Sequence, residues 1–428
     1  MVKPFSSSEI KSFRSDFPFF ADPTLVGGRP LAYLDSGATS QRPKTVLDAE
    51  RFFLEKQNSA VHRGASIATG NATSSFEASR EAVAKFVGAE ASEIVWTAGA
   101  TDALNLIAQG IAEANTSLGS SNSLFKLEPG DEILVTEAEH HANLVPWQRL
   151  ALKTGASLRW IPVNEHGIWS IDDARSYVNK RTKIFAFGHV SNVTGFKAPV
   201  RELTDLARSV GAMTVLDACQ SVPHVPVNFT NLGVDFAVFS SHKMLGPNGL
   251  GVLYGKAELL DELPPARTGG SAITRVTMEQ AEFLPPPLRF EAGTQAVSQV
   301  IGIGAAVKYL EDIGMQRIAS HEEELVAHLV EGVNKNSGLR LLGPQNSSHR
   351  VALASVEVNG LHAHDVGQVL DGEGVQVRVG HHCAQPLHRA MGITSSVRAS
   401  VHLTTTEDEI DRFLDGLRKA QKYFDLES

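Results

Sequence analysis

The stretch with the clearest chemical potential is residues 239–251, FSSHKMLGPNGLG. Lys243 stands there between two apolar, strand-like runs, residues 234–239 and 251–254. Burial at a strand end favours the neutral amine, which can attack a carbonyl group. The preceding Ser240 and His242 could hold a phosphate. A lysine imine beside a phosphate cradle is what pyridoxal phosphate requires, although a merely solvated lysine would explain this stretch taken alone.

A carboxylate supports the same chemistry. Asp217 ends an apolar run, residues 212–216, one strand–loop–strand excursion before Lys243. A carboxylate facing a pyridine nitrogen keeps that nitrogen protonated, so the ring accepts electrons from a carbanion formed at an amino acid Cα. Considered alone, Asp217 is better explained as a residue that only caps the following turn. Together with Ser240, His242 and Lys243, however, it favours the cofactor.

Two more sites for the same group follow strand-like runs. The small turn at residues 98–100 leads into a helix, whose free N–H groups and the Thr101 hydroxyl could bind an anion. His140 follows another strand, and its flat ring could stack on a pyridine. It could also be a core histidine or half of a zinc pair. Zinc would need further Cys or His at ligand spacing, and the only other adjacent histidines precede Cys383, so we expect no metal.

Cys383 lies in the segment RVGHHCAQP, among polar and basic neighbours. Such neighbours favour the thiolate over the thiol, and a loop that contains Gly380 can carry the sulfur into a pocket and out again. Most cysteines are instead buried and inert. We reject that interpretation for Cys383. We accept it for Cys219, which lies close to Asp217, the residue expected to face the cofactor.

The elements that position these residues alternate between strand and helix from about residue 93 to residue 254. This pattern predicts an α/β fold with a mostly parallel sheet between helices, and ligands at the carboxyl ends of its strands. We expect a large domain at residues 30–290 and a smaller α+β domain at residues 1–29 and 291–428. Residues 338–428 are expected as strand, helix, strand, loop, strand and helix. A loop is predicted at residues 59–70, a helix at 72–87 and a surface insertion at 115–126.

Composition restricts the function. The chain has 428 residues, 42% hydrophobic, and a net charge of −9 without a dense basic stripe, so neither nucleic acid nor an anionic membrane is an expected partner. No apolar run approaches the roughly 20 residues of a membrane span, and the N-terminal residues do not resemble a signal peptide. Two cysteines exclude a disulfide framework, which favours a reducing cytoplasm.

Eight motifs make the sequence similar to a known family: YLDSGAT, VHRG, EHHANLVPWQ, HVSNVTG, DACQSVPH, SSHKMLGPNGLGVLYG, RFEAGT and RVGHHCAQPL. Over about residues 30–425 the chain resembles the fold-type I, class V aminotransferase family, and most closely the SufS-type (group II) cysteine desulfurases. The last motif is the most specific, because plain class V aminotransferases and kynureninases lack the cysteine loop.

The resemblance implies a role for each matching residue. Lys243 would carry the pyridoxal phosphate imine and move the Cα proton, and Cys383 would accept the sulfur. Cofactor contacts are implied for Thr101, His140, Asp217, Gln220, Ser240, His242 and, from a second subunit, Thr294. Asn192 and Arg398 would grip the substrate carboxylate, with Arg378 lining the same site.

The expected reaction converts L-cysteine to L-alanine and passes sulfane sulfur from Cys383 to an acceptor for iron–sulfur cluster assembly. The enzyme would be a homodimer. His364, followed by Asp365, favours a zinc-bearing SufU-like acceptor over a SufE-like one, although a solvated loop histidine is the alternative. A selenocysteine lyase, another β-eliminating enzyme and a scaffolding subunit of a sulfur-transfer complex are the other hypotheses.

Several positions depart from the family pattern without touching the lysine, the cysteine or the carboxylate clamp. The family has His at Ser66, T-T-E at residues 100–102 and Y-N-T at residues 404–406, where this chain has Ala100, Asp102 and Thr405. It also has D-N-A-A-T at residues 35–39. The dimer contact and the rim of the substrate pocket are where these differences would act.

Overall fold

The strands and helices come from a computed structural model that describes residues 4–21, 31–116 and 124–424. The strands are β1 Ala32–Tyr33, β2 Ile94–Thr97, β3 Glu132–Thr136, β4 Ser157–Ile161, β5 Thr182–Gly188, β6 Met213–Asp217, β7 Phe236–Ser240, β8 Gly251–Gly255, β9 Ile273–Val276, β10 Ala281–Phe283, β11 Leu339–Leu342, β12 Leu353–Val358, β13 Val375–Gln376, β14 Arg378–Gly380 and β15 Ser396–Ser400.

The α-helices interleave with these strands. They are α1 Ser7–Ser15, α2 Lys44–Phe52, α3 Ile67–Val87, α4 Ala100–Ala114, α5 Val145–Thr154, α6 Ile171–Tyr177, α7 Val200–Val210, α8 Phe229–Leu232, α9 Ala257–Glu262, α10 Val297–Ile313, α11 Met315–Asn334, α12 Ala363–Gly372, α13 Gln385–Ala390 and α14 Glu407–Tyr423.

Seven strands form the central sheet in the order β2-β8-β7-β6-β5-β3-β4. Only β8 runs antiparallel to its neighbours, so the predicted mostly parallel sheet is confirmed. Alternate residues along one strand enter different clusters: Leu134 packs in one apolar cluster, whereas Ile133 and Val135 pack in the other. The sheet is therefore covered on both faces, as parallel sheets require.

The helices that cover this sheet follow from their sequence patterns. In α7, Val200, Leu203 and Ala207 recur at helical spacing and are buried. Gly211 ends the helix with φ 77°, a left-handed conformation that glycine adopts without steric cost. The apolar spacing and the glycine stop therefore account for a helix at Val200–Val210.

A second sheet of four antiparallel strands has the order β11-β12-β15-β14. It packs with α11, α12 and α14 around a third apolar cluster, which also includes Ala32 and Leu34. Strand β1 pairs with β13 in parallel. The early segment near residue 32 therefore contacts the C-terminal part, whereas α10 packs against α2 and α3. The predicted domain division at residues 30 and 291 remains a proposal.

Two predicted elements were wrong in extent. Helix α3 begins at Ile67, not residue 72, because the Ser66 side chain accepts a hydrogen bond from Thr69 N–H and caps the helix. The predicted loop therefore ends at residue 66. Residues 338–400 hold five strands rather than three, since β11 and β12 pair directly before α12 and the short strands β13 and β14 precede the cysteine loop.

The predicted surface insertion, residues 115–126, lies partly outside the described residues, because 117–123 are not among them. Its described ends meet: Asn115 Nδ2 donates to Phe125 O at 2.8 Å, and Leu127 N donates to Asn115 Oδ1 at 2.8 Å. Phe125 is buried, so this end of the segment belongs to the core. Within the described ranges, no helix combines the length and apolar character needed to cross a membrane.

Candidate active site

One cavity of about 220 Å³ lies where the strands of the central sheet end. The predicted site residues that line it are Thr101, His140, Asn192, Asp217, Gln220, Ser240, His242, Lys243, Arg378, Cys383 and Arg398. Residues separated by up to almost 300 positions in sequence thus share one space. Thr294 does not line it, and its predicted role belongs to a second subunit, so that role stays a prediction.

Lys243 is held in a short turn, Ser241–Lys243, directly after β7. The carbonyl of His242 accepts hydrogen bonds from Ser40 N at 2.9 Å, Ser40 Oγ at 3.0 Å and Thr39 Oγ1 at 3.2 Å. Ser40 Oγ also accepts from Leu245 N at 2.8 Å. The YLDSGAT segment therefore fixes the backbone on both sides of the lysine and leaves its amine directed at the cavity.

The turn between β2 and α4 forms a wall of the cavity beside the lysine. Ala100 N donates to Ser240 Oγ at 2.9 Å, which connects the start of α4 to the end of β7. A Cβ atom on Gly251 would lie 2.4 Å from Gly99 Cα, so glycine is required for the close approach of β8. Free N–H groups at the start of α4, with Thr101 and His242 alongside, suit an anion.

Asp217 and His140 both line the cavity. Asp217 Oδ1 accepts from Cys219 N at 2.9 Å, so this carboxylate caps the following turn and also lines the cavity. Burial lowers the pKa of His140 to about 4, against the opposing effect of Asp217. The ring is therefore neutral, and its Nδ1 accepts from Ala142 N at 3.1 Å.

Cys219 is buried, as predicted, and burial raises its thiol pKa to about 12. Its sulfur therefore stays protonated and unreactive near neutral pH. Its neighbour in the cavity, Glu139, is also buried, and burial raises its pKa to about 7. Thr136 Oγ1 donates to Glu139 Oε1 at 2.5 Å and Asn143 Nδ2 donates to Glu139 Oε2 at 2.6 Å. Sequence reasoning did not single out Glu139, although it adjoins His140.

Arg398 crosses the cavity from β15. Its Nη1 donates to Asn192 O at 2.9 Å, and its Nη2 lies 3.4 Å from Asp35 Oδ1. The more exposed Arg378 lies 3.7 Å from the other oxygen of Asp35. The Nε atom of Arg398 is buried without a hydrogen-bond partner among the described residues. A buried guanidinium with an unused donor can receive a carboxylate, and Asp35 already balances part of its charge.

The cysteine loop, residues 381–385, lines the cavity through His382 and Cys383. Cys383 is exposed and also lines the cavity, so its sulfur has access both to solvent and to the site. His382 and Cys383 have φ angles of 50° and 57°, in the left-handed region that costs on the order of 1–3 kcal/mol for such residues. Asn192 Nδ2 donates to His382 O at 2.6 Å, which holds the loop over the cavity.

His141 makes the other attachment of this loop. Its N–H donates to Cys383 O at 2.7 Å, and its Nε2 accepts from Gln385 N at 3.0 Å. Sequence reasoning assigned only the first histidine of the EHHAN motif and missed the second. The only available signal was the adjacency of the two rings, since the contact joins residues more than 240 positions apart.

The departures from the family pattern have local structural roles. Ser66 caps α3, and Asp102 Oδ2 accepts from Ala98 N at 2.8 Å while pairing with Arg267 at 3.0 Å. Thr405 Oγ1 accepts from His402 N at 2.9 Å. Ser66, Asp102 and Thr405 do not line the cavity, whereas Ala100 and Gly37 do.

The family model for class-V aminotransferases matches residues 32–413. The chain belongs to the class-V aminotransferase family. Within that family it is 52% identical over 419 residues to "Probable cysteine desulfurase 2" of Mycobacterium leprae, with 98% of each chain covered.

Solved structures of family members have the same fold. An apo cysteine desulfurase from Thermococcus onnurineus superimposes with a TM-score of 0.89 at 36% identity, over 99% of this chain and 100% of that one. A cysteine desulfurase from Escherichia coli that carries an S-sulfonic acid gives 0.86 at 33% identity, over 98% and 100%. The predicted class, a fold-type I α/β transferase, is confirmed for this member of the class-V aminotransferase family.

Proposed function

We propose that the chain is a pyridoxal phosphate-dependent cysteine desulfurase of the SufS type, which converts L-cysteine to L-alanine and leaves a persulfide on Cys383. The observation that carries this proposal is the composition of the cavity. A lysine, a buried arginine and an exposed cysteine open onto the same space. An enzyme that only transfers an amino group has no need of the sulfur nucleophile.

The cofactor is pyridoxal phosphate, and the cavity contains the groups it requires. When bound, it supplies an electron sink for a carbanion at the substrate Cα. Lys243 would hold it and move the Cα proton, and Asp217 would face its ring nitrogen. Gln220 Oε1 is buried without a hydrogen-bond partner among the described residues, and Gln220 Nε2 donates to Gly37 O at 2.8 Å. The side chain is thus fixed while its other end stays available.

The phosphate would lie at the start of α4. Thr101, Ser240 and His242 face this part of the cavity, and burial lowers the pKa of His242 to about 4. A neutral imidazole donates one hydrogen bond without adding charge. His140, neutral for the same reason, would stack on the ring of the cofactor.

Arg398 and Asn192 would orient the substrate. The free Nε and the Nη groups of Arg398 can form a two-pronged contact with the carboxylate of cysteine. Arg378, on the adjacent strand and paired in register with Arg398, adds positive charge at the entrance. The amide of Asn192 is bonded to His382 O, so substrate recognition and the position of the cysteine loop are connected.

In the sulfur step, the nucleophile comes from this chain and the transferred sulfur comes from the substrate. The Cys383 thiolate attacks the substrate sulfur and forms an S–S bond as the substrate Cβ–S bond breaks. The bonding electrons pass to the carbon skeleton, which takes up protons and leaves as L-alanine. The products balance as L-alanine and a persulfide on Cys383, with no added oxidant or reductant.

We further propose that the persulfide passes to an acceptor protein for iron–sulfur cluster assembly in the cytoplasm. His362 and His364 are exposed at the start of α12, with their rings stacked at 5.1 Å. Two accessible imidazoles suit a zinc-bearing, SufU-like acceptor better than a SufE-like one. Sulfur transfer to each acceptor, compared between the wild type and His364→Ala, tests this choice.

The enzyme is proposed to be a homodimer in which Thr294 completes the partner's site. Exposed apolar side chains support an interface: Ile67 is 84% exposed, and Met278, between β9 and β10, is 98% exposed. Burial of such side chains would stabilise association. Light scattering should give twice the 46.0 kDa chain mass, and a monomer mass would overturn the dimer.

The experiment that tests the function measures L-alanine and sulfide from L-cysteine in the presence of a thiol reductant. Equal amounts of the two products are expected from the wild type. L-Selenocysteine in a parallel assay separates a lyase for that substrate, which would release selenide independently of Cys383. Absence of alanine from the isolated protein with bound cofactor would contradict the enzyme assignment and leave a scaffolding role.

A further inference from the structure

A second group of chemically capable side chains lies outside the active site and has no part in the proposed reaction. His224 follows the DACQSVP stretch, Glu322 lies in α11 and His402 follows β15. Their ligand atoms all lie within 4.8 Å of one another. The three side chains join the central sheet, the long helix and the C-terminal sheet, so the group bridges the two main parts of the fold.

Each member of this group is almost fully buried, at 1%, 2% and 2% exposure for His224, Glu322 and His402. His224 Nδ1 lies 2.8 Å from Glu322 Oε2. Two further atoms, Glu322 Oε1 and His402 Nε2, have no hydrogen-bond partner among the described residues. Buried polar atoms without partners are costly, and two of them in one cluster indicate that a third species satisfies them.

The donor atoms of the group suit a cation. Each imidazole can offer an unprotonated ring nitrogen, and the Glu322 carboxylate offers oxygen atoms. Together they supply the nitrogen and oxygen ligands that divalent transition metals take in proteins.

We propose that His224, Glu322 and His402 bind one divalent transition-metal ion of the zinc type at the junction of the two sheets. Two imidazoles and one carboxylate suit zinc, whereas magnesium and calcium prefer oxygen ligands alone. For zinc bonds of about 2.1 Å at tetrahedral angles, the ligand atoms would be about 3.4 Å apart. The observed separations, from 2.8 Å to at most 4.8 Å, bracket that value.

An entry path and a fourth ligand are also available. A cavity of about 300 Å³ reaches His224 and Glu322 and is lined as well by Lys197, Glu323 and His349. Water from this cavity can complete a tetrahedron. The backbone around His402 is fixed, because His402 N donates to Thr405 Oγ1 at 2.9 Å and the neighbouring His321 contacts Thr405 O. The expectation of no metal rested on local spacing, which cannot reveal ligands from three distant segments.

The test is the zinc content of the holoenzyme after dialysis against a weak chelator and exposure to zinc. Cys383→Ser serves as the background throughout, since a reactive thiolate could bind zinc by itself. One zinc per chain is expected. His402→Leu and Glu322→Gln should each weaken zinc binding more than about 100-fold, because loss of an outer-shell partner alone costs 10–100-fold.

The matched control is His328→Gln. It removes a histidine that is also paired with a carboxylate, Asp411 Oδ1 at 2.7 Å, but on the surface. This variant should keep one zinc per chain. Two results would overturn the proposal and leave a hydrogen-bonded His224–Glu322 pair. One is a zinc content below about one tenth per chain in the background protein. The other is a zinc content of His402→Leu and Glu322→Gln that equals that of the background protein.

A second measurement decides the matter if the buried variants do not fold. Cobalt(II) added to the same Cys383→Ser protein should give the visible absorption bands of a low-coordinate nitrogen and oxygen site, at wavelengths longer than those of the cofactor. Zinc should abolish these bands by displacement. If cobalt produces no such bands, the site does not exist. Neither readout depends on desulfurase activity, so the two proposals fail independently.

Discussion

The lysine turn and the cysteine loop line the same cavity, but they are built in opposite ways. Around Lys243 the backbone follows a buried strand, and three hydrogen bonds converge on His242 O alone. Cys383 is exposed between two buried neighbours, two consecutive residues have left-handed φ angles, and Asn192 and His141, from the segments after β5 and β3, hold the loop. The amine has a fixed position, whereas the sulfur depends on a few separable contacts.

This difference agrees with the two tasks. A group that anchors a cofactor works best when its position is fixed before the substrate arrives. A group that takes sulfur from the substrate and then delivers it elsewhere must be able to leave the cavity. Changes in the two regions should therefore affect different observables.

The largest effect should follow Lys243→Ala. Without the amine, the visible absorbance of the lysine-bound cofactor should disappear, and alanine formation should fall at least about 10³-fold, since positioned proton transfer alone contributes 10²–10⁴-fold. Absorption spectra and an alanine assay check both. Unchanged colour would remove Lys243 from the anchoring role.

Cys383→Ala separates the two regions. We expect normal cofactor absorbance and a normal spectral response to L-cysteine, but sulfide release reduced at least about 10³-fold, since loss of a catalytic nucleophile can cost up to roughly 10⁶-fold. Cys219→Ala is the matched control, because its protonated, buried thiol should contribute no persulfide. Full sulfide output from Cys383→Ala would contradict the account.

The buried Glu139, which lines the cavity, should make the stability of the protein depend on pH. Its folded pKa of about 7 exceeds the ordinary 4.5, so between these values the folded state binds more protons than the unfolded state. Stability from this group is complete below pH 4.5 and is lost as pH rises to about 7. At 1.36 kcal/mol per pH unit, the wild type should lose about 3 kcal/mol relative to Glu139→Gln. Denaturant unfolding of the wild type and of Glu139→Gln at pH 4.5 and at pH 7 measures this difference in the free energy of unfolding. An equal change in both proteins between the two pH values would refute it.

The smallest effect is expected for His141→Ala, which removes the acceptor for Gln385 N–H. One hydrogen bond is worth about 1 kcal/mol, so sulfide release should change about fivefold with the cofactor absorbance unaltered. His381→Ala provides the control, since it removes an exposed ring of the same loop that has no side-chain hydrogen bond among the described contacts. Equal effects of both substitutions would deny His141 its positioning role.

The residues of the cavity could be predicted from the sequence because several of its motifs lie at the ends of strands. Asp217, Ser240 and Lys243 could be placed at the carboxyl ends of parallel strands from apolar runs alone. Contacts between distant segments left no such pattern. Three such features depend on tertiary pairing: the contact of His141 with the cysteine loop, the position of Asp35 beside Arg398, and the short strand β13. The early start of α3 was missed because a Ser cap within a polar segment, before α3 becomes regularly apolar, is a weak signal.

The most direct test of the central claim is mass spectrometry of the protein after brief exposure to L-cysteine without reductant. The account predicts one additional sulfur atom on the peptide that contains Cys383, removable by a thiol, and none on the peptide that contains Cys219. A Cys383 peptide of unchanged mass while alanine accumulates would contradict the proposal that this loop carries the sulfur.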